Sequence, residues 1–325
     1  MPELGRWHSF HLICSVASPA NLTLPSPIDT PHELKRMKLE VLPRNQRIWS
    51  FLADIAKDAP SLEHLNTWHI IEGIPWAQLK SIQMSHRANL DMLSAHRLIS
   101  ESSRLETGYF HLVRDMIGSV AQQIEHRALR SLRIVSYHPF GSLFDCLRLP
   151  SLRELSITNR EEALWPHVHV LAMLSRSSCS LTRLILRFSD INDQQLIDLL
   201  KHPGIDNSLN HLSLYECSMI DTVCEYLTIR PETDTPFAIP NLESLFLRTY
   251  SNPWNNSPDA LYRMLESRIG LCEGNPMQLP SKWIPSLRTV KLDTSSFLRP
   301  PNETQVKFLQ DHNLDISVIS DYVKL

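Results

Sequence analysis

His167 and His169 stand one residue apart, a spacing that on a strand would turn both imidazoles to one face and let them share a metal ion. They follow Trp165-Pro166 at an expected helix start, and on a helix the two side chains diverge. The spacing therefore predicts ordinary helix residues and no metal. Cys217 and Cys224, seven apart without histidine neighbours, read as packing in a helix layer. Eight glycines leave little room for a phosphate-cradling loop, and neither a G-x-S-x-G elbow nor an H-E-x-x-H helix occurs. The 15 histidines are dispersed. The expectation is a chain that is not an enzyme and needs no cofactor.

Binding chemistry is better represented. Alternating residues form the sets Glu154, Ser156, Thr158; Arg183, Ile185, Arg187; His211, Ser213, Tyr215; Ser244, Phe246, Arg248; and Thr289, Lys291, Asp293. If each segment is a strand, each set shares one face. Aromatic and branched apolar residues exposed beside arginines are the mixture that protein-binding hot spots favour. Arg183, Ile185, Arg187, His211, Tyr215, Phe246 and Arg248 are the candidate protein contacts.

The elements that must position these residues come from one recurring pattern, Leu-x-x-apolar-x-apolar. Its clearest copies start at Leu152, Leu181, Leu209 and Leu242, spaced 29, 28 and 33 residues. Looser copies start at Trp7, Leu34, Leu62, Leu79, Leu105, Leu129 and Leu287; the one at Leu105 is degraded at its fourth position, Gly108. A recurrence of this length marks a stacked repeat. The fourth and sixth residues would point to the core from an extended strand, and the third, fifth and seventh would face away from it. Helical stripes lie between copies: Ile48, Phe51, Leu52, Ile55 and Ala56; Leu196, Ile197, Leu199 and Leu200; Leu261, Met264, Leu265 and Ile269. Asn192-Asp193 and Ser257-Pro258-Asp259 read as helix starts. Strands joined by such crossovers stack in parallel. Pro150, Pro240 and Pro285, just ahead of strands, fix an extended approach. Three irregular stretches, Arg230 to Ala238, Tyr250 to Asn256 and Gly270 to Lys282, read as loops on the margin, with Trp254 as a plug over the helix layer or, as the alternative, an exposed contact.

Composition sets limits on partners and compartment. The chain has 325 residues, 42% hydrophobic, with 32 basic and 35 acidic side chains and a formal charge of −3, so no nucleic-acid partner is expected. No run of about 18 apolar residues suggests a membrane span. Arg6 and the stretch Phe10 to Ala17 imitate a signal peptide only weakly, because the run is short and contains His11. The six scattered cysteines, without C-x-x-C, read as reduced thiols, and the expected location is cytoplasmic or nuclear.

The strand-helix copies resemble the leucine-rich-repeat superfamily, most closely its ribonuclease-inhibitor-like arm. The resemblance implies an α/β fold: an irregular leucine-rich-repeat solenoid with parallel strands on the concave side and helices on the convex side, a single array of about 11 repeats over residues 1–325. Asn159 and Cys217 match the consensus Asn or Cys after the strand only in part. A narrower likeness rests on Ala59-Pro60-Ser61-Leu62-Glu63-His64-Leu65, Ile74-Pro75-Trp76-Ala77-Gln78-Leu79-Lys80-Ser81-Ile82, Leu149-Pro150-Ser151-Leu152-Arg153-Glu154-Leu155 and Ile239-Pro240-Asn241-Leu242-Glu243-Ser244-Leu245. These phrases, together with Arg6 to Leu12, look like the fungal F-box proteins with degenerate leucine-rich repeats. In that family an N-terminal F-box docks on the Skp adaptor of a cullin ubiquitin ligase, and the repeats recruit the substrate. Here the copies begin by Trp7 and no F-box segment precedes them. The expectation is thus a non-catalytic interaction module with an unknown protein partner on its concave face, without direct Skp-adaptor binding. The alternatives are a truncated or solo scaffold with no ligase role, or an enzyme with an unrecognised site.

Overall fold

Each copy of the pattern becomes a strand that starts two residues after the copy does. A computed structural model describes residues 7–14, 31–41, 46–85, 88, 90–114, 122–160, 164–187, 190–215, 221–230, 237–248, 259–272, 275–276, 286–293, 307, 311 and 315–319. The fold is mixed α/β, with parallel strands and several helices. The chain forms two compact units, Met1–Leu152 with Arg160–Ala163, and Arg153–Asn159 with Leu164–Leu325.

The first unit contains β1 (Ser9–Cys14), β2 (Arg36–Val41), α1 (Gln46–Lys57), β3 (His64–Thr67), β4 (Ser81–Met84), β5 (Leu90–Asp91), α2 (Met92–Glu101), β6 (Thr107–Arg114), β7 (Ile124–Glu125), β8 (Ser131–Ser136), α3 (Gly141–Asp145) and β9 (Leu147–Arg148). Its sheet runs β1-β2-β3-β4-β6-β8, all parallel, with third positions aligned: Ser9 with Arg36, Arg36 with His64, His64 with Ser81, Ser81 with Thr107, Thr107 with Ser131. The two-residue strands β7 and β9 pair apart from this sheet.

The second unit contains β10 (Glu154–Asn159), α4 (His167–Ser177), β11 (Arg183–Arg187), α5 (Asp193–Leu200), α6 (Pro203–Asp206), β12 (His211–Tyr215), α7 (Asp221–Leu227), β13 (Ser244–Arg248), α8 (Asp259–Arg268), the antiparallel pair β14 (Leu271–Cys272) and β15 (Asn275–Pro276), β16 (Thr289–Asp293) and β17 (Asp315–Ile319). Its sheet runs β10-β11-β12-β13-β16-β17, again parallel and in matched register. Strand β17 is absent from the sequence reading.

The register has two physical causes. The first is the core: Leu181, Leu184 and Leu186 are fully buried, as are Leu209 and Leu212, and Leu242 and Leu245. Each such side chain contributes roughly 1.5–3 kcal/mol when removed from water, and a slip of one residue would turn all of them outward. The second is a repeated backbone clasp. Among the described residues, in nine of the eleven copies the carbonyl of the second residue accepts two bonds from the next copy: Thr182 C=O from the N–H groups of Asn210 and His211, both at 3.0 Å, and Asn210 C=O from those of Glu243 and Ser244, both at 2.9 Å. The same clasp joins Lys35 to Glu63 and His64, and Lys80 to Glu106 and Thr107.

Turns deliver the chain to these strands. The N–H of Leu62 donates to Ala59 C=O, that of Leu152 to Leu149 C=O and that of Leu242 to Ile239 C=O. Pro60, Pro150 and Pro240 therefore occupy the second position of a β-turn, where their fixed φ is favourable. The expected extended approach at Pro150 and Pro240 is a turn instead; Pro285 lies outside the described residues. Side chains tie successive turns together. Gln78 Nε2 donates to Ala59 C=O at 2.8 Å, Asn241 Nδ2 to Asn207 C=O at 2.8 Å, and Ser286 Oγ to Pro240 C=O at 2.9 Å.

The helices follow the sequence stripes. Ile48, Leu52, Ile55 and Ala56 of α1 are buried, as are Leu196, Ile197, Leu199 and Leu200 of α5 and Leu261, Met264 and Leu265 of α8. Asn192 caps α5 by a reciprocal pair: its side chain accepts from Gln195 N–H, and its own N–H donates to the Gln195 side chain. Helix α8 begins at Asp259, as its start signal implies. Trp254 and the loop Tyr250 to Asn256 lie outside the described residues.

Candidate functional site

Strands β11, β12, β13 and β16 bring the candidate residues into three rows. The third positions give Arg183, His211, Ser244 and Thr289; the fifth give Ile185, Ser213, Phe246 and Lys291; the seventh give Arg187, Tyr215, Arg248 and Asp293. Neighbouring strands lie about 4.8 Å apart, so each row runs as a continuous line of positions across the strands. Of these, Arg183, Ile185, Arg187, His211, Ser213, Tyr215, Ser244, Phe246, Thr289 and Lys291 line a shallow depression of about 660 Å³ in the second unit.

The aromatic residues are half-buried, and they cover each other. The rings of Tyr215 and Phe246 stack with centroids 4.4 Å apart, and the Arg187 guanidinium lies 3.8 Å over the Tyr215 ring. Offset stacking and the cation–π contact hold these side chains rigid on the sheet surface. Small residues on the same face are not exposed as the alternation predicts. Ser156, Thr158 and Ser213 are buried, with 3%, 3% and 2% of their surface accessible. Ser213 sits between Ile185 and Phe246 in the sheet, and larger neighbours close over it. Most of the accessible surface at these strands therefore belongs to the large side chains, with Ser244 and Thr289 only partly buried beside them.

The electrostatics of the depression are set by cations. Arg183 and Lys291 are exposed, and among the described residues neither forms an ion pair. Burial, reinforced by Arg183 and then Lys291, pushes the His211 imidazole down to about 4. Its Nε2 lies 2.8 Å from Ser213 Oγ, so His211 is a neutral hydrogen-bonding group near neutral pH. The corresponding face of the first unit is different: Lys38 Nζ bonds Glu40 Oε1 at 2.6 Å, with His11 Nε2 3.8 Å from the same oxygen. The hydrogen bond from Lys38 holds that half-buried carboxyl below its usual range.

The described residues contain no group of three or more His, Cys, Asp or Glu placed to hold a metal ion. His167 opens helix α4 and its Nδ1 accepts a 3.4 Å bond from Trp165 Nε1; Val168 is 73% exposed between the two histidines. Cys146, Cys179 and Cys224 are buried, and burial raises the Cys179 thiol to about 11, far from a reactive thiolate. Cys217 lies outside the described residues.

The sequence reading missed Arg268. This guanidinium at the end of α8 is 1% exposed and donates to Leu227 C=O at 2.7 Å, Ile239 C=O at 2.7 Å and Ala238 C=O at 2.5 Å. Leu227 is the last residue of α7, so the cation also meets the negative end of a helix. Desolvation lowers Arg268 to about 10, opposed by Tyr226 and Asp206. Its position seven residues after Leu261 and four after Met264, on the apolar stripe, was the available signal.

No protein-family model matches the chain, and no curated protein is a significant match to it.

Proposed function

We propose that this chain is an irregular leucine-rich-repeat solenoid that works by non-catalytic binding of a protein, with β11, β12, β13 and β16 as its contact face. The observation that carries the reading is the register that joins Ile185, Phe246, Tyr215 and Arg187 into one rigid apolar and cationic patch. Solenoids of stacked strand-helix units present such walls to partners, and stacked aromatics beside arginine are the side chains that concentrate binding energy. The in-register copies and their backbone clasps support the leucine-rich-repeat assignment. Derivation from the substrate-recognition part of a fungal F-box protein is part of the proposal. In its support, the Pro-Trp-x-Gln-Leu phrase has a repeat-to-repeat task here, since Gln78 bonds the preceding turn at Ala59. The reading sets the protein in the cytoplasm or nucleus and gives it no cofactor, nucleic-acid or membrane partner.

Quantitative capture from fungal extract tests the proposal. Tyr215→Ala/Phe246→Ala should lose specific partners by tenfold or more at matched thermal stability, and an unchanged capture profile would overturn it. The ligase branch has its own test. Residues 1–325 should not bind the Skp adaptor directly, and stoichiometric binding would contradict that part.

A further inference from the structure

The depression on the second unit's sheet carries cations on both flanks. Arg183 and Arg187 stand at the two ends of β11, and Lys291 stands on β16, three strand spacings away. That separation is about 14 Å. Between them lie Tyr215 and Phe246, stacked and half-buried. Among the described residues Arg183, Arg187 and Lys291 make no ion pair, although Glu154 faces Arg183 in register and Glu243 lines the same depression. The carboxylates of the described residues thus leave these cations without an ion pair.

We infer that this face binds an extended acidic segment of a partner protein, carrying two carboxylates about four residues apart with an apolar side chain between them. The inference rests on the protein-binding reading of the same face. Extended chain advances about 3.3 Å per residue, so residues i and i+4 span about 13 Å and reach both cationic flanks. The residue at i+2 then lies over the Tyr215–Phe246 floor. Arginine offers a planar fork to one carboxylate, and lysine a point charge to the other. The depressed titration of His211, caused after burial by Arg183 and Lys291, is consistent with an uncompensated positive potential there. A polynucleotide is the competing anion, but the chain carries 35 acidic against 32 basic side chains, and long-range repulsion works against a polyanion.

Fluorescence anisotropy of the full chain with labelled peptides tests this. The probes are a peptide centred on Glu-Ser-Phe-Ser-Glu, its Gln-Ser-Phe-Ser-Gln analogue and a twelve-nucleotide oligothymidylate. The acidic peptide should bind at least tenfold more tightly than the glutamine analogue, and more weakly as salt rises. Arg183→Gln/Lys291→Gln should cost it a further tenfold or more, whereas Arg97→Gln, on a helix of the other unit, should leave affinity unchanged. Both altered side chains in the double variant are exposed, and matched circular-dichroism melting curves establish that it folds. In the wild-type chain the acidic peptide should also raise the His211 titration midpoint seen by NMR. Equal binding of both peptides, insensitivity to the double variant or tighter binding of the oligonucleotide would each overturn the inference. If both peptides bind equally and both are lost in Phe246→Ala, the acidic specificity fails while the protein-binding face stands. If neither peptide binds, the inference fails, and photo-crosslinking to a partner judges the broader reading separately.

Discussion

Arg268 carries a positive charge into the core of the second unit and spends it on three backbone carbonyls. One of these belongs to Ile239, a β-branched residue held at φ +48°. Asp206 grips the same residue from the other side by accepting its N–H at 2.9 Å. Left-handed backbone at such a residue is costly and persists only where its surroundings over-determine it. Arg268→Met keeps the apolar stem but strands the carbonyls, and should lower the unfolding free energy by about 3 kcal/mol in urea titration. A change under about 1 kcal/mol would mean that other groups satisfy those carbonyls. His211 makes a second residue-scale prediction. Its midpoint is about 4 in the folded chain against 6.5 as the ordinary value. Between those values the unfolded chain binds more protons, so stability is complete above pH 6.5 and falls as pH drops toward 4. His69, His167 and His202 are also lowered by burial and add to the fall. His211→Gln should therefore show a smaller loss of stability than the parent chain between pH 7 and pH 5. An identical pH profile would show that His211 does not titrate as described.

At the scale of elements, Gly108 explains how a degraded copy still makes a strand. An added Cβ there would lie 2.7 Å from Phe110 Cε2, because the sixth-position ring folds over the space that a fourth-position Leu fills elsewhere. Gly108→Ala should cost about 1–3 kcal/mol by overpacking. Adding Phe110→Leu should cost less than the sum of the two single changes, a coupling that a double-mutant cycle reads directly. The example shows what the sequence makes legible. All eleven copies lead to strands at the expected offset, since apolar spacing determines which side chains can be buried together. Strand β17 escaped notice because Asn313 stands where the other copies carry Leu or Trp, although Ile316 and Val318 keep the alternation. The burial of Ser156, Thr158 and Ser213 could not be read from alternation, because it depends on the size of residues in neighbouring strands. Arg268 was hidden for a similar reason: its partners are carbonyls 29 and 41 positions away in the chain.

At the scale of the whole molecule, the two units use one strand pattern for different surfaces. In the first, Lys38, His11 and Glu40 neutralise one another on the sheet face. In the second, large side chains lie beside small buried ones, and among the described residues Arg183 and Lys291 form no ion pair. The proposed contact therefore falls on the second unit's sheet face and on no helix. Site-specific photo-crosslinking in cells tests that assignment most directly. A photoreactive residue at Ser244 or Lys291 should yield discrete protein adducts, whereas one at Gln194 of α5 or Glu225 of α7 should yield none. Adducts from the helix positions alone, or none from the sheet face, would contradict the account.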